Sequence, residues 1–169
     1  MTAQLSFDPC FCFDTSALSR MWKVTHRPDA FPSVWKLLRD GASAGIVIAP
    51  REVLLELERS RSLDDLVAWA RSTRQMFVGD SLELVQAVMS VEADFPNLID
   101  YGKTPFDADP WVIALAELRQ AKVVTAEVDT GCRDGGMGKP KVRIPDVCRV
   151  RRVELATVSD FMTAVGAAL

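Results

Sequence analysis

The sequence contains one histidine, and its four cysteines form no C-x-x-C pair. A single histidine, His26, excludes mechanisms that need two histidines within one chain, such as those of zinc proteases and His-pair ribonucleases. The cysteines are too few and too scattered for a zinc site or a disulfide scaffold, so we expect reduced, structural thiols. Because His26 lies in the turn-like segment THRPDAFP, we expect it at the surface.

The chain also lacks a long apolar run and an excess of charge of one sign. No stretch approaches the roughly 20 apolar residues that span a bilayer, and no basic segment with an apolar core opens the sequence. We therefore expect a cytoplasmic protein without a membrane segment. The net charge of −3, from 20 basic and 23 acidic residues, does not indicate a strongly basic nucleic-acid binder. A hydrolytic site built from carboxylates would itself lower the net charge, so this balance excludes little.

Short apolar runs alternate with helical patterns along the chain. The segment 10–14 and the segments AGIVIAP and KVVTAE predict buried strands, and residues 51–95 predict mostly helix. Strands separated by helices predict a three-layer α/β/α sandwich with a central, mostly parallel sheet. With 169 residues, 49% of them hydrophobic, we expect a single domain over residues 1–169.

Several helix boundaries can be predicted from capping residues. We expect a helix over residues 16–24 that is opened by Thr15 or Ser16, and another with Asp109 as N-cap and Pro110 in the first position. The segment VRIPDVCRVRRVEL should return the chain to the sheet edge through a turn or short helix. TVSDFMTAVGAAL should close the chain as a capped amphipathic helix.

Acidic residues follow the predicted strands or begin the helices after them. Asp14 follows the first strand, Glu127 and Asp129 follow VVT, and Asp107 and Asp109 precede a later helix. In a parallel sheet the functional crevice lies at the carboxyl ends of the strands, so we expect these acids to converge. Each acid alone also has a structural explanation, such as a helix cap for Asp14 or Asp109.

Glu56 completes this set from the helix after the second predicted strand, where it shares a face with Glu52. Carboxylates gathered at one edge repel one another and are tolerated mainly when a cation neutralises them. Oxygen ligands without a histidine or cysteine partner suit Mg²⁺ or Mn²⁺. Such an ion orients a phosphodiester and lowers the pKa of a bound water.

Four segments, in order, resemble the motifs of the PIN superfamily of metal-dependent ribonucleases. FDTSAL resembles the first motif through Asp14, and APREVLLELE resembles the second through Glu56. DADPWVIALA resembles the third through Asp109, with Asp107 as a close neighbour. VVTAEVD resembles the fourth: its threonine fits the family's hydroxyl residue, and Glu127 stands where aspartate is commoner.

The resemblance implies a PIN-like fold and a Mg²⁺- or Mn²⁺-dependent endoribonuclease, in which a metal-activated water attacks an RNA phosphodiester in line. The metal and catalytic residues that it implies are acids, namely Asp14, Glu56, Asp109 and Glu127. Asp129 remains an alternative to Glu127 at the fourth position, and readings with one metal and with two metals stay open. Thr15 or Ser16, together with Thr125, would assist this acidic site with hydrogen bonds.

KVRIPDVC followed by a final helix, together with FPSVWKLL, resembles one branch of PIN-like proteins that is catalogued as a domain of unknown function. Many superfamily members are toxins of bacterial toxin–antitoxin pairs, so the resemblance also implies an antitoxin partner, and homodimers are common. The alternative is a PIN-like module with a weakened metal site that binds RNA or a protein. An Asp14 satisfied by helix capping, with an occluded pocket, would favour this alternative.

The segment KPKVRIPDVCRVRR is unusually basic, with six basic residues and one acid. It could bring Lys139, Lys141 and Arg143 close to an RNA backbone. A solvated sheet edge protected by charge explains the same composition equally well.

Overall fold

The computed structural model describes residues 9–98, 107–131 and 142–168. The strands in these ranges are β1 (Phe11–Phe13), β2 (Val47–Pro50), β3 (Phe77–Val78), β4 (Lys122–Val124) and β5 (Leu155–Ala156). They form one sheet in the order β3-β2-β1-β4-β5, and every neighbouring pair is parallel. The predicted α/β class with a parallel sheet is therefore confirmed.

Eight α-helices lie within the same ranges: α1 (Thr15–Arg20), α2 (Pro32–Ser43), α3 (Arg51–Arg59), α4 (Asp64–Ser72), α5 (Leu82–Asp94), α6 (Asp109–Arg119), α7 (Ile144–Arg151) and α8 (Val158–Ala168). A π-helical turn, Met21–Thr25, continues α1, and 3-10 turns occupy Arg74–Met76 and Pro96–Leu98. No helix in the described residues is both long and apolar enough to cross a bilayer.

Side chains of the central strand β1 show that helices cover both faces of the sheet. Phe11 and Phe13 pack edge-on against Phe161 of α8, with ring centroids 5.5 and 5.2 Å apart. Cys12 points to the other face, where its thiol donates to the carbonyl of Val112 in α6 at 3.6 Å. Because successive side chains of a strand alternate between faces, α8 and α6 lie on opposite sides. The arrangement is a three-layer sandwich.

A glycine allows α2 to lie close to the sheet. A Cβ atom at Gly41 would stand 2.7 Å from Cγ2 of Val47 in β2, which is too close for any side chain. The α2 helix also contacts α8, so these two helices share one layer. The close approach buries Val47 completely.

The strand order fixes where a crevice opens. From β1 the chain proceeds outward to β2 and β3, and then crosses to β4 on the other side of β1. The strand order therefore reverses between β1 and β4, which is where ligands bind in open parallel sheets, at the carboxyl ends of the strands. Asp14 directly follows β1 and Thr125 directly follows β4, so both residues stand at this point.

Three details differ from the predictions. The first helix begins at Thr15 with Asp14 as its N-cap, because the Asp14 carboxylate, and no hydroxyl, receives the free N–H of the first turn. Asp109 is the first residue of α6, and Ala108 is its N-cap. The short strand β3 lies inside the segment predicted as mostly helix.

Candidate metal centre

Asp14 is both a helix cap and a buried carboxylate at the sheet edge. The residue is 3% exposed, and its Oδ1 accepts a hydrogen bond from the backbone N–H of Ala17 at 2.7 Å. Its Oδ2 accepts hydrogen bonds from the hydroxyls of Ser16 and Thr125, each at 2.7 Å. A carboxylate offers about four lone-pair positions. Three donors therefore leave room for one further ligand.

The two hydroxyls that bind Asp14 are themselves oriented by the backbone. Ser16 Oγ accepts a hydrogen bond from the N–H of Ala126 at 3.0 Å, and Thr125 Oγ1 accepts one from the N–H of Glu127 at 3.0 Å. Each hydroxyl oxygen thus accepts from the chain while it donates its own hydrogen to Asp14. This directionality favours the ionised form of Asp14, because two hydrogens point at the same oxygen.

Burial opposes that ionised form. Loss of solvent raises the pKa of Asp14 from 3.8 to about 6, although the hydrogen bonds from Ser16, Ala17 and Thr125 lower it, and the charge of Glu127 raises it further. Asp14 is therefore mostly ionised at neutral pH, but its charge is held at an electrostatic cost. A neighbouring cation would remove this cost.

Glu56 connects three elements beside Asp14. Its Oε2 accepts a hydrogen bond from the hydroxyl of Thr15, and its Oε1 accepts one from the backbone N–H of Ala108 at 3.0 Å. Because Ala108 caps α6, this contact brings Glu56 to the start of the helix that carries Asp109. Thr15 and Ser16, the two hydroxyl residues considered from sequence, therefore orient different acids.

The charges of the neighbouring carboxylates act together on Asp109. Burial raises the pKa of Asp109 well above 3.8, and four carboxylates raise it further, those of Asp107, Glu127, Asp14 and Glu56. Asp107 also accepts a hydrogen bond from the backbone N–H of Asp109 at 3.2 Å. Within the described ranges, no basic side chain forms an ion pair with Asp109. Acids from four separate segments of the chain thus act on one carboxyl group.

Glu127, one of the two alternatives for the fourth acid, lies at the margin of this cluster. Its side chain is 15% exposed, and the guanidinium of Arg143 lies 3.5 Å from its Oε1. Its Oε2 accepts a hydrogen bond from the N–H of Ile144 at 3.0 Å, at the start of α7. Glu127 therefore acts electrostatically on Asp14 and Asp109 while it is held by α7.

Asp129, the other alternative, faces a different environment. It is exposed and accepts a hydrogen bond from the N–H of Gly131 at 2.6 Å. Its other oxygen pairs with the guanidinium of Arg149. Asp129 is absent from the charges that raise the pKa of Asp14 and Asp109. The structure therefore brings Glu127, and not Asp129, to the other acids.

Asp146 is a buried acid that lies outside the four sequence motifs. It is 1% exposed. Its Oδ1 accepts from the N–H of Thr130 at 2.9 Å, and its Oδ2 accepts from the Thr130 hydroxyl at 2.8 Å and from the N–H of Arg143 at 2.9 Å. These bonds fasten the segment after Glu127 to α7. An acid three residues after the helix cap, as in RIPD, is the signal that could have identified it.

The predicted basic surface is only partly described. Arg143 lies against Glu127, so its charge is turned toward the acid cluster. Lys139 and Lys141 lie outside the described residues, as does the glycine-rich segment before them. The sequence interpretation of these two lysines stays a prediction.

The acids fit a hard cation by their chemistry. As the side chains stand in residues 9–98, 107–131 and 142–168, no group of three or more His, Cys, Asp or Glu could hold a metal ion. Every candidate ligand is nevertheless a carboxylate oxygen, the donor that Mg²⁺ and Mn²⁺ prefer, and the repulsion around Asp109 is what a divalent cation relieves. The residues suited to hold it are Asp14, Glu56 and Asp109, with Glu127 beside them.

A family model described as "Domain of unknown function (DUF4411)" matches residues 11–169. The matched range includes β1, β5 and every acid of the cluster. A search of curated proteins gave no match to the chain.

Proposed function

The chain belongs to the family described as a domain of unknown function, DUF4411, and we propose that it is a metal-dependent endoribonuclease related to the PIN superfamily. The observation that supports this proposal is the convergence of charge from Asp14, Glu56 and Glu127 on Asp109. Each of these acids comes from a segment that resembles a PIN motif. A fold gains no stability from gathered carboxylates, whereas hydrolysis of a phosphodiester by a hard cation requires them.

When bound, Mg²⁺ or Mn²⁺ would stabilise charge on the phosphate oxygens and make a water more acidic. Carboxylate oxygens of Asp14, Glu56 and Asp109 would hold the ion. The hydroxyls that donate to Asp14 and Glu56 fix both carboxylates before substrate binds, which is how residues around metal ligands tune a site. No covalent intermediate with the protein is needed.

A second candidate is a PIN-like module that binds RNA or a protein partner through a weakened metal site. Two observations favour it. Asp14 is satisfied as a helix cap by Ala17, and the described acids do not already stand in a ligating geometry. The two candidates differ in one respect that can be measured, because only the nuclease cleaves RNA in a cation-dependent manner.

The biological setting is a further part of the proposal. As an RNase, the protein would act in the cytoplasm, where its substrate is found. It would serve as the toxin of a bacterial toxin–antitoxin pair, with an antitoxin protein as partner and a homodimer as its working state. The support for these roles is the resemblance to the PIN superfamily.

Cleavage of a generic single-stranded RNA tests the proposal. Wild-type protein should cleave in the presence of Mn²⁺ and stop when a chelator is added, and Asp109→Asn should lower the rate by at least about 100-fold. Asp65→Asn, which removes an exposed acid on α4, is the matched control and should cleave as the wild type does. Equal cleavage by Asp109→Asn, Asp14→Asn and wild type would overturn the assignment, and a wild type without cation-dependent cleavage would favour the second candidate.

A further inference from the structure

A groove of about 440 Å³ opens beside the acid cluster, between α1, the segment after β4 and the start of α8. Thr125 lines this groove and also donates its hydroxyl hydrogen to Asp14. The groove therefore begins one side chain away from the cluster. Its volume lies in the range of small-ligand sites, about 300–1,000 Å³, and suits one nucleotide unit better than a duplex. We call it the α1–α8 groove.

The charge of the α1–α8 groove is opposite to that of the cluster it adjoins. Arg20 and His26 line it, and none of its lining residues is acidic. Arg20 is exposed and, in the part of the chain that the structure describes, pairs with no acid. Asp160, in the first turn of α8, is engaged by the N–H and hydroxyl of Thr157. An unpaired guanidinium next to an acidic site suits a phosphate of the same substrate.

A second groove shows that this lack of acids is a distinguishing property. The other groove, of about 380 Å³, lies at the ends of α6 and α7 and is lined by two glutamates as well as by three basic residues. Both glutamates are paired with basic residues of the same groove, Glu154 with Lys122 at 2.9 Å and Glu117 with Arg151 at 2.6 Å. The α1–α8 groove contains no acid, and Arg20 forms no ion pair within the described residues, so its guanidinium is available to a bound anion.

An exposed aromatic ring lies next to His26. Phe31 is 46% exposed, and its ring lies edge-on to that of His26 with centroids 5.6 Å apart. The backbone there is fixed, because Trp35 Nε1 donates to the carbonyl of His26 at 2.7 Å. Aromatic and imidazole rings are the surfaces on which unpaired RNA bases stack. The apolar part of the groove, which includes Met21 and Val158, suits the sugar.

We propose that the α1–α8 groove holds the nucleotide next to the scissile phosphodiester of a single-stranded RNA. Arg20 contacts the phosphate of that nucleotide, and His26 with Phe31 contacts its base. The assignment rests on the proposed nuclease function, because it takes the acid cluster as the place of cleavage. It adds a substrate-binding surface of α1 and the turn after it to the acidic motifs.

Binding of RNA without cleavage tests this assignment. A labelled single-stranded octauridylate is titrated with wild type, Arg20→Ala, Phe31→Ala and Arg119→Ala in a chelator, at several salt concentrations. Arg119 ends α6 away from the groove and is exposed, so its variant has the same charge change as Arg20→Ala. We expect Arg20→Ala to weaken binding about tenfold and to reduce the salt slope by about 0.7. Phe31→Ala should weaken binding by about 5- to 100-fold, and Arg119→Ala by less than twofold.

Two further readouts separate a contact with RNA from damage to the fold. Arg20→Lys should recover most of the affinity, and in the presence of Mn²⁺ Arg20→Ala should raise KM while kcat stays within about threefold. Equal affinity of wild type, Arg20→Ala and Phe31→Ala would overturn the groove assignment, even if Asp109→Asn still abolishes cleavage. If Arg20→Ala weakens RNA binding and no cation supports cleavage, the nuclease function fails and the RNA-binding groove stands.

Discussion

Acidic side chains have opposite surroundings at the two ends of the parallel strands. Around the start of β4 and the ends of α6 and α7, acids are paired with bases. Arg151 binds Glu117 at 2.6 Å and Asp94 at 2.7 Å, and Lys122 binds Glu154 at 2.9 Å. At the carboxyl ends of the strands, Glu127 and Asp129 pair with arginines, but among the described residues Asp14, Glu56 and Asp109 form no ion pair. Burial together with like charge raises the pKa of Asp109 well above its usual range.

This difference distinguishes ion pairs that stabilise the fold from gathered acids that do not stabilise it. At the amino-terminal ends of the strands, around the start of β4, the acids are paired with bases, and these pairs stabilise the fold. The carboxyl ends keep Asp14, Glu56 and Asp109 together although their repulsion destabilises the folded state. A cation bound by these acids would neutralise their charge, as the basic residues neutralise the acids at the opposite end of the strands.

The largest expected effect is stabilisation of the protein by the cation. Mn²⁺ at 100 times its dissociation constant should raise the free energy of unfolding by about 2.7 kcal/mol. Asp109→Asn should abolish the increase, and Asp65→Asn on α4 should retain it. Denaturation curves with Mn²⁺ and with a chelator measure this effect. An unchanged unfolding midpoint for the wild type would contradict a cation site at the carboxyl ends of the strands.

The next effect is a pH dependence of the metal-free protein. The pKa of Asp14 is about 6 in the fold and 3.8 ordinarily, so the folded state binds this proton more tightly than the unfolded chain. The resulting stabilisation is complete below about pH 3.8 and is lost as the pH rises through about 6. Asp14→Asn keeps an N-cap and should lack this dependence.

Denaturation of both proteins at a series of pH values, with a chelator present, measures that difference. The unfolding free energy of the wild type should fall relative to Asp14→Asn by about 2 kcal/mol between about pH 4 and 7. The comparison cancels the titration of the acids that do not interact with Asp14. A difference that stays constant with pH would show that burial does not perturb Asp14.

A smaller effect distinguishes the two candidates for the fourth acid. Glu127→Gln should weaken Mn²⁺ binding about tenfold, or about 1.4 kcal/mol, because Glu127 acts on Asp14 and Asp109. Asp129→Asn should change the affinity by less than twofold, because Asp129 is exposed and paired with Arg149. Calorimetric titration of both variants measures this, and the reverse order would assign the role to Asp129.

The smallest expected effect is on the free energy of unfolding when the ion pairs of Arg151 are removed. Arg151→Ala removes the base that binds Glu117 and Asp94. Because Arg151 and Glu117 are only partly exposed, whereas Asp94 is exposed, the unfolding free energy should fall by about 1 kcal/mol. Mn²⁺ affinity should not change, since these ion pairs lie away from the cluster. A loss of Mn²⁺ binding in Arg151→Ala would show that the two ends of the strands are not independent.

The sequence predicts the fold where strands are buried on both faces. Such strands appear in the sequence as continuous apolar runs, and these runs predict β1, β2 and β4. The strand β3 was missed because Phe77–Val78 is only two residues long, half-buried and placed between helical segments. The observed start of α1 differs by one residue from the predicted start. Whether Asp14 or Thr15 caps this helix depends on a contact with Ala17 that forms only in the folded chain.

The sequence predicts which acids form the site, but it does not predict which residues bind those acids. Strand ends and helix starts indicate that Asp14 and Asp109 approach one edge of a parallel sheet, and Glu56 joins them from inside the helix after the second strand. The choice between Glu127 and Asp129 depends on α7, whose N–H at Ile144 receives Glu127 and whose Arg149 receives Asp129. Such pairings join residues distant in sequence, and periodicity does not encode them.

Calorimetric titration of Mn²⁺ into the wild type and into Asp109→Asn tests the central claim most directly. The account predicts saturable binding to the wild type and none to the variant, with both proteins folded by circular dichroism. The claim is that the acids at the carboxyl ends of the strands are gathered to hold a cation. Absence of binding to the wild type, or equal binding to both proteins, would contradict it.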